Sequence, residues 1–316
     1  MTVLSPKIGI IGTGAIGGFY GMMLSRAGYD VHFLLRSEYD AVVEHGLRLN
    51  SAVHGTQHLE KVQAYEDAAK MPRCDWLLLG AKSTSNAALA EVITEAAAEG
   101  ARVLVLQNGL GVEEQLRARL PSSLHLLGGL CFIYAHRSAL GVVEHQALGG
   151  VNVGYHSGPA QSAEEGLALA RQAADMFKAA GLDSTALEDL TQARWQKLVW
   201  NLPYNGLSVL LDAGTQGLMG DPDSREMVRT LMIETVEAAR ACGSPLREGL
   251  VDKLMRSTEG MPDYLPSMYH DHALGRPMEL QAIYEAPLAA ATAAGCDMPA
   301  TRMIFQALRF LARRGD

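Results

Sequence analysis

The sequence predicts an α/β domain followed by an all-helical domain. In the first half of the 316-residue chain, short apolar runs alternate with helical segments. Beyond about residue 187 the strand-like runs stop, and long helical segments separated by Gly-Pro breaks continue. Alternation of this kind is typical of a mainly parallel, doubly wound sheet with helices on both faces. We therefore expect two domains, spanning residues 1–186 and 187–316.

The first strand and helix surround a glycine-rich turn. An apolar run at residues 7–11 meets Gly12, Gly14 and Gly17, and a helical segment extends to about Arg26. In this G-x-G-x-x-G spacing the first glycine allows the turn, the second lets a pyrophosphate approach, and the third lets helix and strand pack closely. The alternative is a tight turn without a ligand, and the strand–turn–helix context favours the ligand. The sequence thus predicts a Rossmann-type dinucleotide site formed by Gly12, Thr13, Gly14, Ala15, Ile16 and Gly17.

The second strand, residues 30–35, is followed directly by Arg36. An acidic residue at this position would bind the ribose hydroxyls of NAD, whereas a guanidinium suits a ribose 2′-phosphate. Glu38 lies close by but past the strand end. The alternative is a solvated loop arginine, and with the glycine loop beside it the sequence favours NADP.

Two further strands end in polar residues. The run at residues 75–81 is followed by Lys82 and Ser83, and the run at 102–106 by Gln107, Asn108 and Gly109. Ligands of doubly wound folds bind at the carboxyl ends of the strands. These residues are therefore candidates for the site.

Composition excludes several classes of function. The formal net charge of −8 argues against binding to nucleic acid or to anionic membranes, and no run is long enough to span a bilayer. The four cysteines stand alone, and His270-Asp271-His272 lacks further ligands nearby, so we expect no metal site. We expect a cytoplasmic protein.

In the helical half, Lys197, Asn201 and Asn205 recur every four residues and share one helix face. The rest of the segment is apolar, so the helix is expected to be buried, and Pro203 to kink it. Unpaired polar groups are costly inside a protein, and a ligand pocket would explain them. The alternative, a lysine that reaches solvent beside two asparagines that bond the backbone, is equally compatible with the spacing.

Downstream, Ser267 is able to donate to a carboxylate and Glu279 to accept from a hydroxyl. Taken singly, each is as well explained as a helix cap or a surface acid in a first helical turn. Their significance depends on the rest of the chain.

Together these stretches resemble the ketopantoate reductase (2-dehydropantoate 2-reductase) family over nearly the whole chain. The resemblance rests on the glycine loop, Arg36, Lys82 and the run Gln107-Asn108-Gly109-Leu110-Gly111. It continues through Lys197-Leu-x-x-Asn201-x-x-x-Asn205 and Ser267-Met-x-x-Asp271…Gly275-Arg276-x-x-Glu279.

The resemblance implies NADPH-dependent reduction of a 2-oxo acid, ketopantoate to pantoate, on the route to coenzyme A. Lys197 would be the general acid, since burial lowers the pKa of an ammonium while it still stabilises an alkoxide. Glu279 would hold the substrate hydroxyl and order the lysine, and Ser267 would bind the carboxylate. The remaining roles by resemblance are nicotinamide and substrate contact for Asn108, substrate contact for Asn201 and Asn205, and a cation on the cofactor and substrate side for Lys82.

Some positions depart from the family pattern. The family often has asparagine where Tyr264 stands, and many members lack Pro203. After the glutamate it often has aspartate and then an Asn-Gly pair, where this chain has Gln281 and Ile283-Tyr284-Glu285. A paralogue that reduces another 2-oxo acid is therefore the main alternative. A non-catalytic NADP-binding regulator is a second alternative, which the retained Lys197 and Glu279 disfavour. The helical domain is expected to support a homodimer.

Overall fold

The computed structural model describes residues 6–314. Two compact units are present: one runs to Gln107 and resumes over Val112–Leu190, and the other comprises Asn108–Gly111 and the chain from Thr191 onward. The expected boundary at 186/187 falls four residues earlier than Leu190 and within a short strand of the first unit, Ala186–Leu187. Asn108–Gly111 lie between two stretches of the first unit in the sequence, but they belong to the second, helical unit.

The first unit is built on one mixed sheet, with ten strands in the described part of the chain. The strands are β1 Lys7–Ile11, β2 Asp30–Leu34, β3 Leu47–Ser51, β4 Gly55–Leu59, β5 Gln63–Tyr65, β6 Cys74–Leu79, β7 Ala97–Val105, β8 His125–Ala139, β9 Val142–Ser157 and β10 Ala186–Leu187. Its helices are α1 Ala15–Arg26, α2 Tyr39–His45, α3 Asn86–Ala96, α4 Val112–Arg117 and α5 Ala163–Ala179.

The strand order is β4-β3-β9-β8-β7-β6-β1-β2-β5, with β10 beside β9. The pairs around β1, from β5 through β2, β1, β6 and β7 to β8, are all parallel, so their carboxyl ends share one edge of the sheet. β8 and β9 form a long antiparallel hairpin, and β3 pairs antiparallel with β4. The predicted fold class, a Rossmann-type α/β domain followed by a helical domain, is confirmed.

The segment that follows β2 contains a helix, α2. Further along, α3 ends at Ala96, and β7 begins directly at Ala97. Gly100, at φ +67°, lies in this early part of β7, where its pairing with β6 shifts register. Alanine is compatible with both helix and strand, so the alanines at 96–98 do not themselves mark where α3 ends. The positive φ of Gly100, which glycine adopts readily, is incompatible with a continued helix.

All the regular elements in the described residues of the second unit are helices, joined by loops. Its helices are α6 Leu190–Leu211, α7 Thr215–Gly220, α8 Pro222–Ala241, α9 Leu250–Glu259, α10 Ser267–Ala273, α11 Ala286–Ala293 and α12 Pro299–Ala312, with a π-helical turn at Gln281–Glu285. α6 continues through Pro203. No helix between residues 6 and 314 is long and apolar enough to cross a membrane.

Each unit has its own apolar core. In the first, Phe19 and Tyr20 of α1 pack with Phe33 of β2. In the second, Trp195 of α6 and Tyr284 of the π-helical turn belong to one buried cluster. Burying such side chains contributes about 25 cal/mol per Å² of apolar area, which is why each unit is compact by itself.

Candidate active site

The glycine loop has the conformation that its spacing predicts. Gly12 has φ +89°, which favours glycine, and a Cβ there would stand 2.5 Å from the backbone nitrogen of Ala81. A Cβ at Gly17 would collide with the carbonyl oxygen of Gly12. These two glycines are thus required by the packing of the protein itself.

Gly14 differs from both, because a Cβ there would meet no atom within 4 Å. It caps α1 without a side-chain hydrogen bond. Beside it, Thr13 is 6% exposed, and its buried hydroxyl has no hydrogen-bond partner within residues 6–314. An open approach to backbone N–H groups, next to an orphaned buried hydroxyl, fits a pyrophosphate at the start of α1.

At the end of β2, Arg36 is exposed. Its acidic neighbour Glu38 is buried and forms an ion pair with Arg137 of β8. One carboxylate oxygen of Glu38 is thus paired with a guanidinium, while its other oxygen, Oε2, is buried and has no hydrogen-bond partner within residues 6–314. Arg36 itself is an exposed, planar guanidinium just beyond β2, and its role towards a 2′-phosphate stays a prediction.

The strand ends of β6 and β7 are tied together. The side-chain amide of Gln107 donates to the carbonyl oxygen of Ala81 at 2.9 Å and to Oδ1 of Asn86 at 2.7 Å. Lys82 lies between these elements, half-buried, just before a 3₁₀ turn at Ser83–Ser85. Because β1, β6 and β7 are neighbouring parallel strands, Lys82 stands at the same edge of the sheet as the glycine loop.

In the helical unit, α6 presents Lys197, Asn201 and Asn205 on one face. Asn201 and Asn205 are 7% and 3% exposed, and Lys197 is half-buried. The ammonium nitrogen of Lys197 donates to Oδ1 of Asn108 at 2.8 Å. The lysine is thus held inward by an amide, which disagrees with the alternative of a side chain that only reaches for solvent.

Asn205 joins α6 to the start of α10. Its Nδ2 donates to the carbonyl oxygen of Asn201 at 2.9 Å, and its Oδ1 accepts from the amide of Met268 at 3.2 Å. The hydroxyl of Ser267 lies 3.5 Å from the same Oδ1. Asn205 therefore places Ser267 relative to α6 through bonds within the protein, and its contact with a substrate stays a prediction.

Asn108 is fixed from the other side by the π-helical turn. The amide of Leu110 donates to the carbonyl oxygen of Ala282 at 2.9 Å. Gly109, at φ +98°, packs against Ala282 so closely that a Cβ would stand 2.5 Å from its carbonyl oxygen. Glu279, 4% exposed, lies two residues before this turn.

The second unit thus contains the Lys197–Asn108 pair, Asn201, Asn205, Ser267 and Glu279, and the first contains the glycine loop, Arg36 and Lys82. Asn86 supports the first set and Tyr284 the second, and the sequence predicts neither contact. No local signal marks a residue whose partner lies in a distant segment. Between residues 6 and 314 no group of three or more His, Cys, Asp or Glu side chains could hold a metal ion.

Comparison with known proteins assigns the chain to a family. The family profile Ketopantoate reductase PanE/ApbA matches residues 8–158, and the profile of its C terminal domain matches residues 189–312. A 2-dehydropantoate 2-reductase of a Nostoc species is 39% identical over 311 residues, which cover 98% of this chain and 96% of the relative.

Solved structures agree with this assignment. The crystal structure of a 2-dehydropantoate 2-reductase from Geobacter metallireducens is 35% identical, with a TM-score of 0.89, and covers 98% of this chain and 100% of that one. Its counterpart from Methylococcus capsulatus is 32% identical, with a TM-score of 0.85 and coverage of 98% of each chain. The family uses NADPH. The resemblance seen in the sequence is thereby confirmed, and the chain belongs to the ketopantoate reductase family of oxidoreductases.

Proposed function

We propose that this protein reduces ketopantoate to pantoate with NADPH, a step on the route to coenzyme A. One observation carries the proposal: the Lys197 ammonium is fixed by Asn108 at 2.8 Å on the same face of α6 as Asn201. A fixed ammonium on a polar face of a mostly apolar helix is suited to protonating a carbonyl oxygen. Family membership and the 39% identical 2-dehydropantoate 2-reductase support the choice of substrate.

The residues of the first unit fit the cofactor. The glycine loop, from Gly12 to Gly17, would hold the pyrophosphate at the start of α1, and Arg36 the 2′-phosphate. Lys82 would add a positive charge at the same strand edge. When bound, the reduced nicotinamide supplies a hydride for the carbonyl carbon.

In the helical unit, Lys197 would donate its proton to the carbonyl oxygen as negative charge develops there, so that the product leaves as an alcohol. Asn108 orients the ammonium before the reaction, which avoids reorganisation during it. Ser267, set in place by Asn205, would donate to the substrate carboxylate. Glu279 would accept from the substrate hydroxyl, and Asn201 would donate its amide to the substrate.

The experiment follows NADPH oxidation by absorbance with ketopantoate and a panel of 2-oxo acids. Ketopantoate is expected to give the highest kcat/KM of the panel. A protein that ignores ketopantoate while consuming another 2-oxo acid would refute the pantoate assignment. A protein that binds NADPH and turns over none of them would be a regulator, and the catalytic proposal would fail.

A second candidate substrate class is favoured by an aromatic pair. Tyr264, three residues before Ser267, lies 6.5 Å between ring centroids from Trp200, and both side chains are half-buried. Trp200 is held by a 3.0 Å hydrogen bond from its indole to Thr258. An aromatic pair of this kind, close in sequence to Lys197 and Ser267, would suit a 2-oxo acid with an apolar group beyond C2. The same panel decides: a higher kcat/KM for apolar 2-oxo acids, lowered again by Tyr264→Asn, would establish this class.

We also propose cytoplasmic action as a homodimer that associates through the helical unit. Met303 and Phe310, seven residues apart on α12, expose 67% and 53% of their surface and share a face. Equilibrium sedimentation is expected to give twice the monomer mass, and Phe310→Lys to shift it towards the monomer. A monomeric wild type at micromolar concentration would contradict this.

A further inference from the structure

The π-helical turn at Gln281–Glu285 inserts a side chain into α6. Tyr284 is fully buried, and its hydroxyl donates to the carbonyl oxygen of Leu202 at 2.6 Å. In an unbroken α-helix this carbonyl pairs with the amide of Gly206, four residues on. A hydroxyl at this place therefore enters the hydrogen-bond ladder of the helix that carries Lys197.

Gly206 is the residue that makes room for it. A Cβ at Gly206 would collide with the Tyr284 hydroxyl. The backbone of Gly206 also hydrogen-bonds to that hydroxyl, and burial raises the pKa of Tyr284 far above its usual range, so the phenol keeps its proton. The neighbouring Pro203 has no amide hydrogen for the ladder, which leaves this part of α6 with fewer bonds of its own.

The same turn contacts the other pieces of the candidate site. Ala282 receives the amide of Leu110 and packs against Gly109, next to Asn108. Glu279 lies two residues before the turn. One π-helical turn thus bonds to the Asn108 segment, bonds to the Lys197 helix, and continues the chain from Glu279. Turns of this type are frequent at functional sites.

We propose that Tyr284 is a positioning residue, whose hydroxyl fixes the Glu279 and Asn108 segments against the helix that carries Lys197. The inference rests on the proposed function, because it assigns Tyr284 a part in that reaction. It departs from a merely structural role, since the bond joins the elements that bring the proton donor and its neighbours together. The ring itself stacks on Phe305 at 6.1 Å and 8°, so removal of the hydroxyl leaves its packing in place.

The test compares Tyr284→Phe with Tyr204→Phe. Tyr204 is a matched control, because it is also fully buried, lies on α6, and bonds through its hydroxyl to Met219 at 3.0 Å, away from the π-helical turn. Both variants lose one buried hydroxyl. We expect kcat with the best 2-oxo acid to fall about tenfold in Tyr284→Phe and to stay at the wild-type value in Tyr204→Phe, with NADPH affinity unchanged in both. An unchanged kcat in Tyr284→Phe, or equal losses in both, would overturn the proposal.

A second variant covers the case that Tyr284→Phe does not fold. Gly206→Ala places a methyl group on α6 against the Tyr284 hydroxyl, which disturbs the same hydrogen bond, so its kcat should fall as well. An unchanged kcat in Gly206→Ala would count against the proposal. Where Tyr284→Phe does fold, the double variant should show less than multiplicative losses, because the colliding hydroxyl is gone. Fully multiplicative losses would show that the two residues act separately, against the proposal.

Hydrogen exchange separates failure of the positioning role from failure of the proposed function. In Tyr284→Phe, amides of residues 108–111, 197–206 and 279–285 are expected to exchange faster together, and not in Tyr204→Phe. If the wild type reduces no 2-oxo acid, the proposed function fails, and this joint change alone decides whether the three segments are held by Tyr284. Faster exchange confined to residues 279–285 would contradict the inference.

Discussion

The ammonium nitrogen of Lys197 lies 2.8 Å from the side-chain oxygen of Asn108, 89 residues earlier in the chain. We expect Asn108→Ala to lower kcat/KM about 10- to 100-fold, because a charge-assisted hydrogen bond that directs the proton donor is lost. Steady-state kinetics with the best 2-oxo acid checks this. Asn152→Ala, which removes an amide oxygen bonded to Thr185 in the first unit, is the control and should keep wild-type kinetics.

Alanine substitutions at two glycines of the loop should affect different properties, NADPH affinity at Gly14 and stability at Gly17. Gly14→Ala places a methyl group in open space, so its melting temperature should match the wild type while its NADPH affinity falls at least about tenfold. Gly17→Ala forces a collision with the Gly12 carbonyl and should cost about 1–3 kcal/mol of stability. Calorimetry and NADPH titration measure both. Unchanged NADPH affinity in Gly14→Ala would contradict the assignment of the loop.

Local patterns predicted much of this structure. The glycine spacing marked the β1–α1 turn, and the recurrence at four residues placed Lys197, Asn201 and Asn205 on one helix face, since both signals depend only on neighbouring residues. The contacts that complete the site were not predictable. The bonds from Lys197 to Asn108 and from Tyr284 to α6 join distant segments, and neither residue carries a local sign of its partner.

The sequence also does not show which polar side chains are buried or which are already hydrogen-bonded within the protein. The resemblance assigns Asn205 to the substrate pocket, whereas in the structure its Oδ1 accepts a hydrogen bond from the backbone amide of Met268 at the start of α10. The sequence likewise does not show that Glu38 is buried beside Arg137, because β8 lies far along the chain from β2. Only the folded chain shows which polar groups are already satisfied.

Arg36 should determine the preference of the protein for NADPH over NADH. We expect Arg36→Ser to lower kcat/KM for NADPH about 10- to 100-fold and to leave that for NADH almost unchanged, since only NADPH carries the 2′-phosphate. Arg171→Ser, on the exposed side of α5, is the control for loss of one surface charge. Equal losses with both dinucleotides would refute the role of Arg36.

Stability should depend on pH through two buried histidines. Burial lowers the pKa of His145 and His32 below the ordinary value of 6.5, although Asp30 opposes the shift at His32. The unfolded chain therefore binds protons first on acidification, and the stability contributed by the neutral rings is complete above pH 6.5 and lost as the pH falls through the lowered values.

Urea unfolding across this range measures the effect. The free energy of unfolding should fall from about pH 7 to 5, by up to about 1.4 kcal/mol per pH unit for each histidine. His145→Gln should flatten the slope, and the exposed His272→Gln should not. A slope that is identical in His145→Gln and the wild type would disprove the assignment to His145.

The proposed role of Lys197, protonation of the carbonyl oxygen of the substrate, is tested by the kcat of Lys197→Ala. We expect kcat to fall about 10²- to 10⁴-fold, with NADPH affinity and melting temperature unchanged. Lys253→Ala, an exposed lysine of α9, should retain wild-type activity. Turnover of Lys197→Ala within about twofold of the wild type would show that Lys197 is not the proton donor.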